Sequence, residues 1–248
     1  MEKQRKVLNG FILLRDKNCC FSKIIENLKK DWKIEATNKV EENSLIFYLD
    51  ETMIAFSFVP VPIPNGEAEE NASHNYLWSN GVEETAKHQA QIILAVFGRD
   101  SLEVSSLFIK AAASALKLDN AIGIYKYPTV IPSDEYIEVA EYMKENELPL
   151  ADMIYIGLYN SENGVCGYTM GLDFFDKKEI EVLNTSLDPF DLYNFIYDIA
   201  HYVISNNIEL KDGETIGFSA EQKLPITVSK GVSLEGETVK IAYDVVKN

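Results

Sequence analysis

Cysteine, histidine and long apolar runs are all scarce in this chain of 248 residues. The three cysteines, Cys19, Cys20 and Cys166, provide neither a disulfide framework nor a CxxC metal pattern. No apolar run approaches the roughly 20 residues of a membrane helix, and no apolar signal core follows the first residues. We therefore expect reduced thiols, no membrane segment and a cytoplasmic location.

Sequence motifs of catalysis are also missing. The chain contains neither a GxGxxG nor a GxxxxGK[ST] phosphate loop, and it contains no GxSxG elbow. Its three histidines, His74, His88 and His201, form no HxH or HxxxH pair, so a histidine-rich metal site is not expected. These absences predict no bound cofactor and no metal centre.

Basic residues are outnumbered, since 23 Lys and Arg stand against 39 Asp and Glu and the formal net charge is −16. An anionic surface of this size repels a phosphate backbone, so nucleic-acid binding is not expected. Residues 1–39 nevertheless hold an excess of Lys and Arg over Asp and Glu. This basic part has two interpretations: a solvated helix face, or a surface that docks an acidic partner or a second copy of the chain.

The hydrophobic periodicity predicts short strands that alternate with amphipathic helices. The order strand, helix, strand, strand, helix, strand is that of ferredoxin-like βαββαβ modules, and it recurs after residue 119. We therefore predict an α+β fold with a mostly antiparallel sheet and helices packed on it. The predicted organisation is two ferredoxin-like halves, 1–99 and 119–248, joined by a buried helix at 100–118. The alternative is one continuous α+β domain.

The stretch 58–97 combines a rigid backbone, a tryptophan and two histidines. Its alternating prolines at 60–64 remove backbone donors, which places this proline ladder at a sheet edge or on the surface. The long acidic and polar loop that follows contains His74 and Trp78, and loops of this length are often functional. We interpret His74, Trp78 and His88 as the wall of a binding groove for a protein partner or a small ligand. The alternative is that Trp78 simply packs the loop onto the core.

Glu179 and Glu181 alternate with apolar residues on a predicted strand. Two carboxylates on one strand face could hold a divalent cation or act as acid and base. The alternative is a half-exposed strand whose polar residues point to solvent.

Three separated blocks of this sequence share one family's pattern. They are the ladder residues Pro60, Pro62, Ile63 and Pro64; Trp78 followed by His88 and Ala90; and the segment 171–181, GLDFFDKKEIE. Together they resemble a bacterial family catalogued as domain of unknown function 4261, from the first strand to the helix at 188–205. The family usually has glycine where Asp176 stands. The resemblance implies relatives without an established activity, so it assigns no catalytic residue.

Three functions are compatible with these patterns. The leading hypothesis is a binding, interaction or regulatory module that acts through the 58–97 surface. The rival is a hydrolase-like or metal-assisted enzyme that uses His88 with Glu179 and Glu181. A third, weaker hypothesis is an acidic mimic of nucleic acid. The oligomeric state is left open by the sequence.

Overall fold

The computed structural model describes residues 5–36, 40–41, 43–219 and 222–243. The chain divides into two compact units, Met1–Asp152 and Met153–Asn248. Each unit is built on one β-sheet.

Among its described residues, the first unit contains seven strands and five α-helices, followed by a short α-helix at its boundary. The strands are β1 (Lys6–Leu14), β2 (Val40–Glu41), β3 (Ser44–Leu49), β4 (Thr52–Val59), β5 (Ala90–Gly98), β6 (Ala121–Lys126) and β7 (Thr129–Pro132). The helices are α1 (Phe21–Trp32), α2 (Glu67–Ala72), α3 (Gly81–Thr85), α4 (Ser101–Leu116), α5 (Ser133–Glu141) and α6 (Leu150–Met153).

All neighbouring strands of the first sheet are antiparallel, in the order β2-β3-β4-β5-β1-β6-β7. Helix α4 begins where the Asp100 carboxylate accepts hydrogen bonds from the backbone N–H groups of Leu102 and Glu103, both at 3.1 Å. Ten residues of α4 are buried, because the helix packs on β5 and β1 and also contacts α1 and α5. The prediction of a buried helix at this place is correct.

The part of the second unit that the structure describes contains six strands and one long helix. They are β8 (Tyr155–Ser161), β9 (Gly164–Met170), β10 (Ile180–Thr185), α7 (Pro189–Ser205), β11 (Thr215–Ile216), β12 (Leu224–Lys230) and β13 (Glu237–Ile241). The strand order is β11-β12-β13-β10-β9-β8, and only the β10–β13 pair is parallel among these neighbours.

Helix α7 packs on β9 and β8 of this sheet. Asp188 caps its N-terminus by accepting from Phe190 N at 2.9 Å and Asp191 N at 3.0 Å. Close packing depends on Gly167, since a Cβ there would lie 2.5 Å from Ile196 Cδ1.

The predicted fold class, α+β with mostly antiparallel sheets, is confirmed, whereas the ferredoxin-like halves are not. A ferredoxin-like βαββαβ module places its first strand between its third and fourth strands, whereas in the first sheet β5 lies between β4 and β1. Strands β6 and β7 follow α4 but pair into the first sheet, so the units divide after Asp152 rather than at the predicted helix 100–118.

Candidate functional site

The proline ladder leaves the sheet at the end of β4, which is an interior strand paired with β3 and β5. Pro60, Val61, Pro62 and Pro64 are exposed, while Ile63 is buried. The ladder is therefore a surface segment that continues beyond an interior strand, and it is not an edge strand of the sheet. Its backbone is held by side chains, since Gln91 Nε2 donates to Val61 O at 3.3 Å.

His88 is a buried residue that forms a hydrogen bond with the backbone of the ladder. Its Nε2 accepts from Ile63 N at 2.9 Å, and its Nδ1 donates to Thr85 O at 2.6 Å. These two bonds require the neutral tautomer with the proton on Nδ1. The Glu69 carboxylate lies 3.7 Å from Nδ1, but the proton on that nitrogen is directed to the Thr85 carbonyl. His88 thus has a structural role in this unit, because both ring nitrogens are engaged.

The predicted polar loop contains a helix and is attached to β7. Helix α2 buries Ala68 and Ala72 one turn apart, and Tyr125 donates from its hydroxyl to Glu67 Oε1 at 2.7 Å. His74 Nδ1 lies 2.7 Å from Pro128 O, and Asn75 Nδ2 donates to Val130 O at 3.0 Å. These bonds fix the segment between β4 and β5 against the β6–β7 hairpin.

Trp78 packs against a buried cluster and is half-buried itself. That cluster consists of Leu13, Ile63, Ala68, Ala72, Ile122, Tyr125 and Val130. A Cβ at Gly81 would lie 2.9 Å from the Trp78 ring, so the turn after the tryptophan requires a very small residue. The simpler interpretation of Trp78, an anchor that packs the loop onto the core, agrees with this geometry.

The residues around these anchors expose an apolar surface. Leu77 is 70 % exposed and Tyr127, next to the Pro128 carbonyl that His74 contacts, is 69 % exposed. Five large apolar side chains are exposed on this segment and beside it, and we call this set the loop surface. They are Val61, Tyr76, Leu77, Val82 and Tyr127. The sequence pattern did not identify these residues, because exposed apolar side chains carry no periodic signal.

The segment that carries the loop surface is rich in carboxylates. Helix α2 carries Glu67, Glu69 and Glu70, and α3 carries Glu83 and Glu84. Glu84 is neutralised by Arg15 at 2.9 Å and by Lys87 at 2.5 Å, and these hydrogen bonds lower its pKa. The two helices of this segment therefore bring an excess of acidic side chains to the neighbourhood of the loop surface.

The Glu179 carboxylate of the second unit stabilises the turn between β9 and β10. Its Oε2 accepts from Thr169 Oγ1 at 2.7 Å, and its Oε1 accepts from Gly171 N at 2.8 Å and Asp173 N at 3.2 Å. Burial raises its pKa above the ordinary value, although these hydrogen bonds oppose the shift. Within the same turn Asp176 has φ 59°, the left-handed conformation that glycine adopts without strain.

Glu181 is completely buried, so the interpretation of β10 as a half-exposed strand is wrong at this position. Its carboxylate accepts from the N–H groups of Val232 and Ser233 and from the Thr238 hydroxyl, and Lys240 Nζ lies 3.3 Å away. Burial acts to raise its pKa, but these hydrogen bonds outweigh burial and hold the pKa below the ordinary value. Glu181 fixes the connection between β12 and β13.

A groove in the second unit lies beside the Glu179 turn. It has a volume of about 220 Å³, with Ile180, Val203 and Val239 as a buried floor and Asp173, Lys178 and Glu209 among its charged rim residues. This groove was not predicted, because its lining comes from three elements that are distant in the sequence.

The five predicted site residues thus fall in two groups. His74, Trp78 and His88 lie on one segment of the first unit, whereas Glu179 and Glu181 lie in the second unit and form hydrogen bonds there. In the part of the chain that the structure describes, no group of three His, Cys, Asp or Glu residues is arranged to hold a metal ion. Nor is any helix among those residues long and apolar enough to cross a membrane.

Comparison with known proteins agrees with the resemblance seen in the sequence. No curated protein and no solved structure matched the chain. A family model matched residues 168–242, a range that includes the 171–181 block and ends one residue after β13, and that leaves the 60–90 blocks outside it. Over these residues the chain is similar to the family described as Domain of unknown function (DUF4261).

Proposed function

We propose that this protein is a binding module whose loop surface docks a protein partner. The observation that carries the proposal is the exposure of five large apolar side chains on and beside a segment that hydrogen bonds to His88 and to β7 hold in place. Exposed apolar patches with polar rims commonly mark interaction sites. A rigid surface of this kind binds with a smaller loss of conformational entropy than a mobile loop does.

The partner is expected to combine an apolar centre with a basic rim. Aromatic and aliphatic side chains contribute most of the affinity at the centre of protein interfaces. The glutamates of α2 and α3 would face Lys or Arg of the partner, which favours fast and specific association. The three free thiols fit a reducing compartment, so we place this interaction in the cytoplasm.

Leu77→Asp tests this function in the full chain, with Tyr48→Asp as the matched control. Tyr48 is 56 % exposed in the same unit, and it pairs with Met53 at the other end of β4, about 20 Å from the ladder. Tagged wild-type, Leu77→Asp and Tyr48→Asp proteins are used to capture partners from the source cells. We expect a partner that the wild type and Tyr48→Asp retain and Leu77→Asp loses, with binding at least about tenfold weaker.

Equal capture by all three proteins would contradict the proposed site. Because Leu77 is largely exposed, the substitution is expected to leave the thermal unfolding temperature close to that of the wild type. If added small metabolites displace the captured partner, the result would indicate that the same surface binds a small ligand instead.

A further inference from the structure

Five polar side chains that the proposed function does not use lie around the β6–β7 hairpin and the helices that follow it. Lys126 and Thr129 are directly opposite each other in the antiparallel β6–β7 pair. Ser133 and Tyr136 are one turn apart on α5, and Asp152 lies on α6. We call these five residues the polar cluster.

One hydrogen bond and the charge of Asp152 link Lys126, Tyr136 and Asp152 to one another. Lys126 Nζ donates to the backbone carbonyl of Asp152 at 3.1 Å. Burial, and secondarily the nearby Asp152 carboxylate, raise the pKa of the Tyr136 hydroxyl well above its ordinary value. Burial also lowers the pKa of Lys126, to about 8, in spite of the Asp152 carboxylate. The charge of Asp152 therefore acts on both Lys126 and Tyr136.

Four atoms of the polar cluster are buried without a hydrogen-bond partner among the described residues. They are Thr129 Oγ1, Ser133 Oγ, Tyr136 Oη and Asp152 Oδ2. Tyr136 and Asp152 are 0 % and 2 % exposed, so bulk solvent does not reach them. Unpaired buried polar groups destabilise a fold, and native proteins pair nearly all of them, with internal water where protein groups are lacking.

The chemistry of the four atoms selects the kind of molecule that pairs with them. Three are hydroxyls, which both donate and accept, and the fourth is an oxygen of the Asp152 carboxyl group, which accepts when ionised and can donate when protonated. Burial raises the pKa of this carboxyl group well above its ordinary value. Burial disfavours any charged molecule at this place, and the Lys126 ammonium further disfavours a cation. A small neutral molecule that donates and accepts hydrogen bonds satisfies all four atoms, and water is the smallest such molecule.

We infer that Thr129, Ser133, Tyr136 and Asp152 enclose a binding site for ordered water. This site would adjoin the base of the loop surface through β7, since Asn75 donates to Val130 O on the strand that begins at Thr129. Glu135 extends the same polar region, because it contacts Asn75 and its charge acts on Asp152.

Tyr136→Phe tests the inference through the sign of its effect on stability. If water bonds the Tyr136 hydroxyl, removal of that hydroxyl loses hydrogen bonds and lowers the thermal unfolding temperature of the full chain. If the hydroxyl is unpaired in the folded protein, its removal relieves an unfavourable burial and raises that temperature. Tyr142→Phe is the control, because Tyr142 is 42 % exposed, and it is expected to change nothing.

A crystal structure at high resolution identifies the bound molecule directly. We expect density for water at about 3 Å from at least two of the four unpaired atoms. In the unfolding experiment, a higher unfolding temperature for Tyr136→Phe would overturn the inference. It would also be overturned by direct pairing of these side chains with one another, by an empty site, or by a different polar molecule in the density.

Discussion

The three thiols of this protein differ in their surroundings. Cys20 is exposed just before α1, and a hydrogen bond with Ser22 (3.2 Å) is the largest cause of its lowered pKa. Burial, with a smaller contribution from Cys20, raises the pKa of Cys19 to about 12, while Cys166 is buried. Adjacent cysteines that look equivalent in the sequence are therefore chemically distinct, which composition alone could not predict.

We expect Cys20 to react first when the folded protein is treated with iodoacetamide near neutral pH, because the thiolate is the nucleophile and Cys20 forms it most easily. Mass spectrometry of the peptides measures the order of labelling. Cys19 and Cys166 should be labelled at comparable rates only after denaturation. Faster labelling of Cys19 than of Cys20 in the folded protein would contradict the environments described for them.

His88 was predicted to line a groove, and the structure gives it a buried structural role instead. His88→Phe leaves Ile63 N without its acceptor, whereas Thr85 O keeps the hydrogen bond from the backbone N–H of residue 88. With about 1–3 kcal/mol for a buried group that loses its partner, we expect a loss of about 1–3 kcal/mol in the free energy of unfolding.

Amide hydrogen exchange at Ile63 measures the local part of this effect, since that amide loses its hydrogen bond in His88→Phe. His201→Phe, at a half-buried position of the second unit, is the control and should leave exchange at Ile63 unchanged. Unchanged protection of Ile63 in His88→Phe would show that His88 does not hold the ladder.

At the scale of single elements, strong periodic patterns were predictable and weak ones were not. Helix α1 begins at Phe21 and ends at Trp32, as its 3–4 spacing and lysine-rich opposite face indicate. Helix α2 was predicted as a loop, because EAEENA buries only two alanines, at i and i+4, and offers no larger apolar face. Strand β7 is only four residues long and follows Pro128, so it has no detectable alternation.

Strand β10 shows why alternation alone misplaces a buried carboxylate. The polar positions of an edge or half-exposed strand normally point to solvent, but the partners of Glu181 lie 51 and 57 residues later in the chain. A sequence pattern over six residues contains no information on such distant partners. The 171–181 block was recognisable from the sequence, whereas its role in holding two connections was not.

Glu181→Gln is expected to destabilise the second unit by about 3–5 kcal/mol, because it leaves Lys240 without its buried counter-ion and places an amide against two backbone N–H donors. Both tryptophans, Trp32 and Trp78, lie in the first unit, so hydrogen exchange in β10 and β13 is the appropriate measurement. Glu237→Gln is the control on β13, with an exposed ion pair at 3.7 Å to Lys178 and an expected effect below about 1 kcal/mol.

The same residue predicts an acid-dependent loss of stability. The folded-state pKa of Glu181 is lowered, so its contribution is fully present above the unfolded-state pKa of about 4.3. That contribution is lost as the pH falls through the lower folded-state pKa. Between these two pKa values, lowering the pH should reduce the stability of β10 and β13 more steeply in the wild type than in Glu181→Gln. Parallel pH profiles would contradict a buried, ionised Glu181.

At the scale of the whole molecule, the order of elements was largely predictable and their pairing was not. Strands β3, β4 and β5 pair with their sequence neighbours, as most strands do. Strand β1 lies between β5 and β6, so its partners are about 80 and 110 residues away in the sequence. Apolar periodicity identifies strands but does not select such distant neighbours, and for this reason the expected ferredoxin-like halves were not confirmed.

We propose that binding takes place on the first unit, at a rigid apolar surface beside two acidic helices. Charge alone would also attract basic proteins to a chain of net charge −16, and an acidic mimic of nucleic acid would bind in that way. The two explanations differ in their dependence on salt and on one apolar side chain. Binding through charge alone weakens strongly in high salt, whereas apolar contacts persist.

Site-specific photo-cross-linking at position 77 is the most direct measurement of this claim. A photoreactive side chain replaces Leu77 in one protein and Tyr48 in a control, and both are irradiated in the source cells and in lysate at low and high salt. We expect one discrete cross-linked partner at position 77 that persists in high salt, and none at position 48. The absence of a product at position 77, or the same products at both positions, would contradict it.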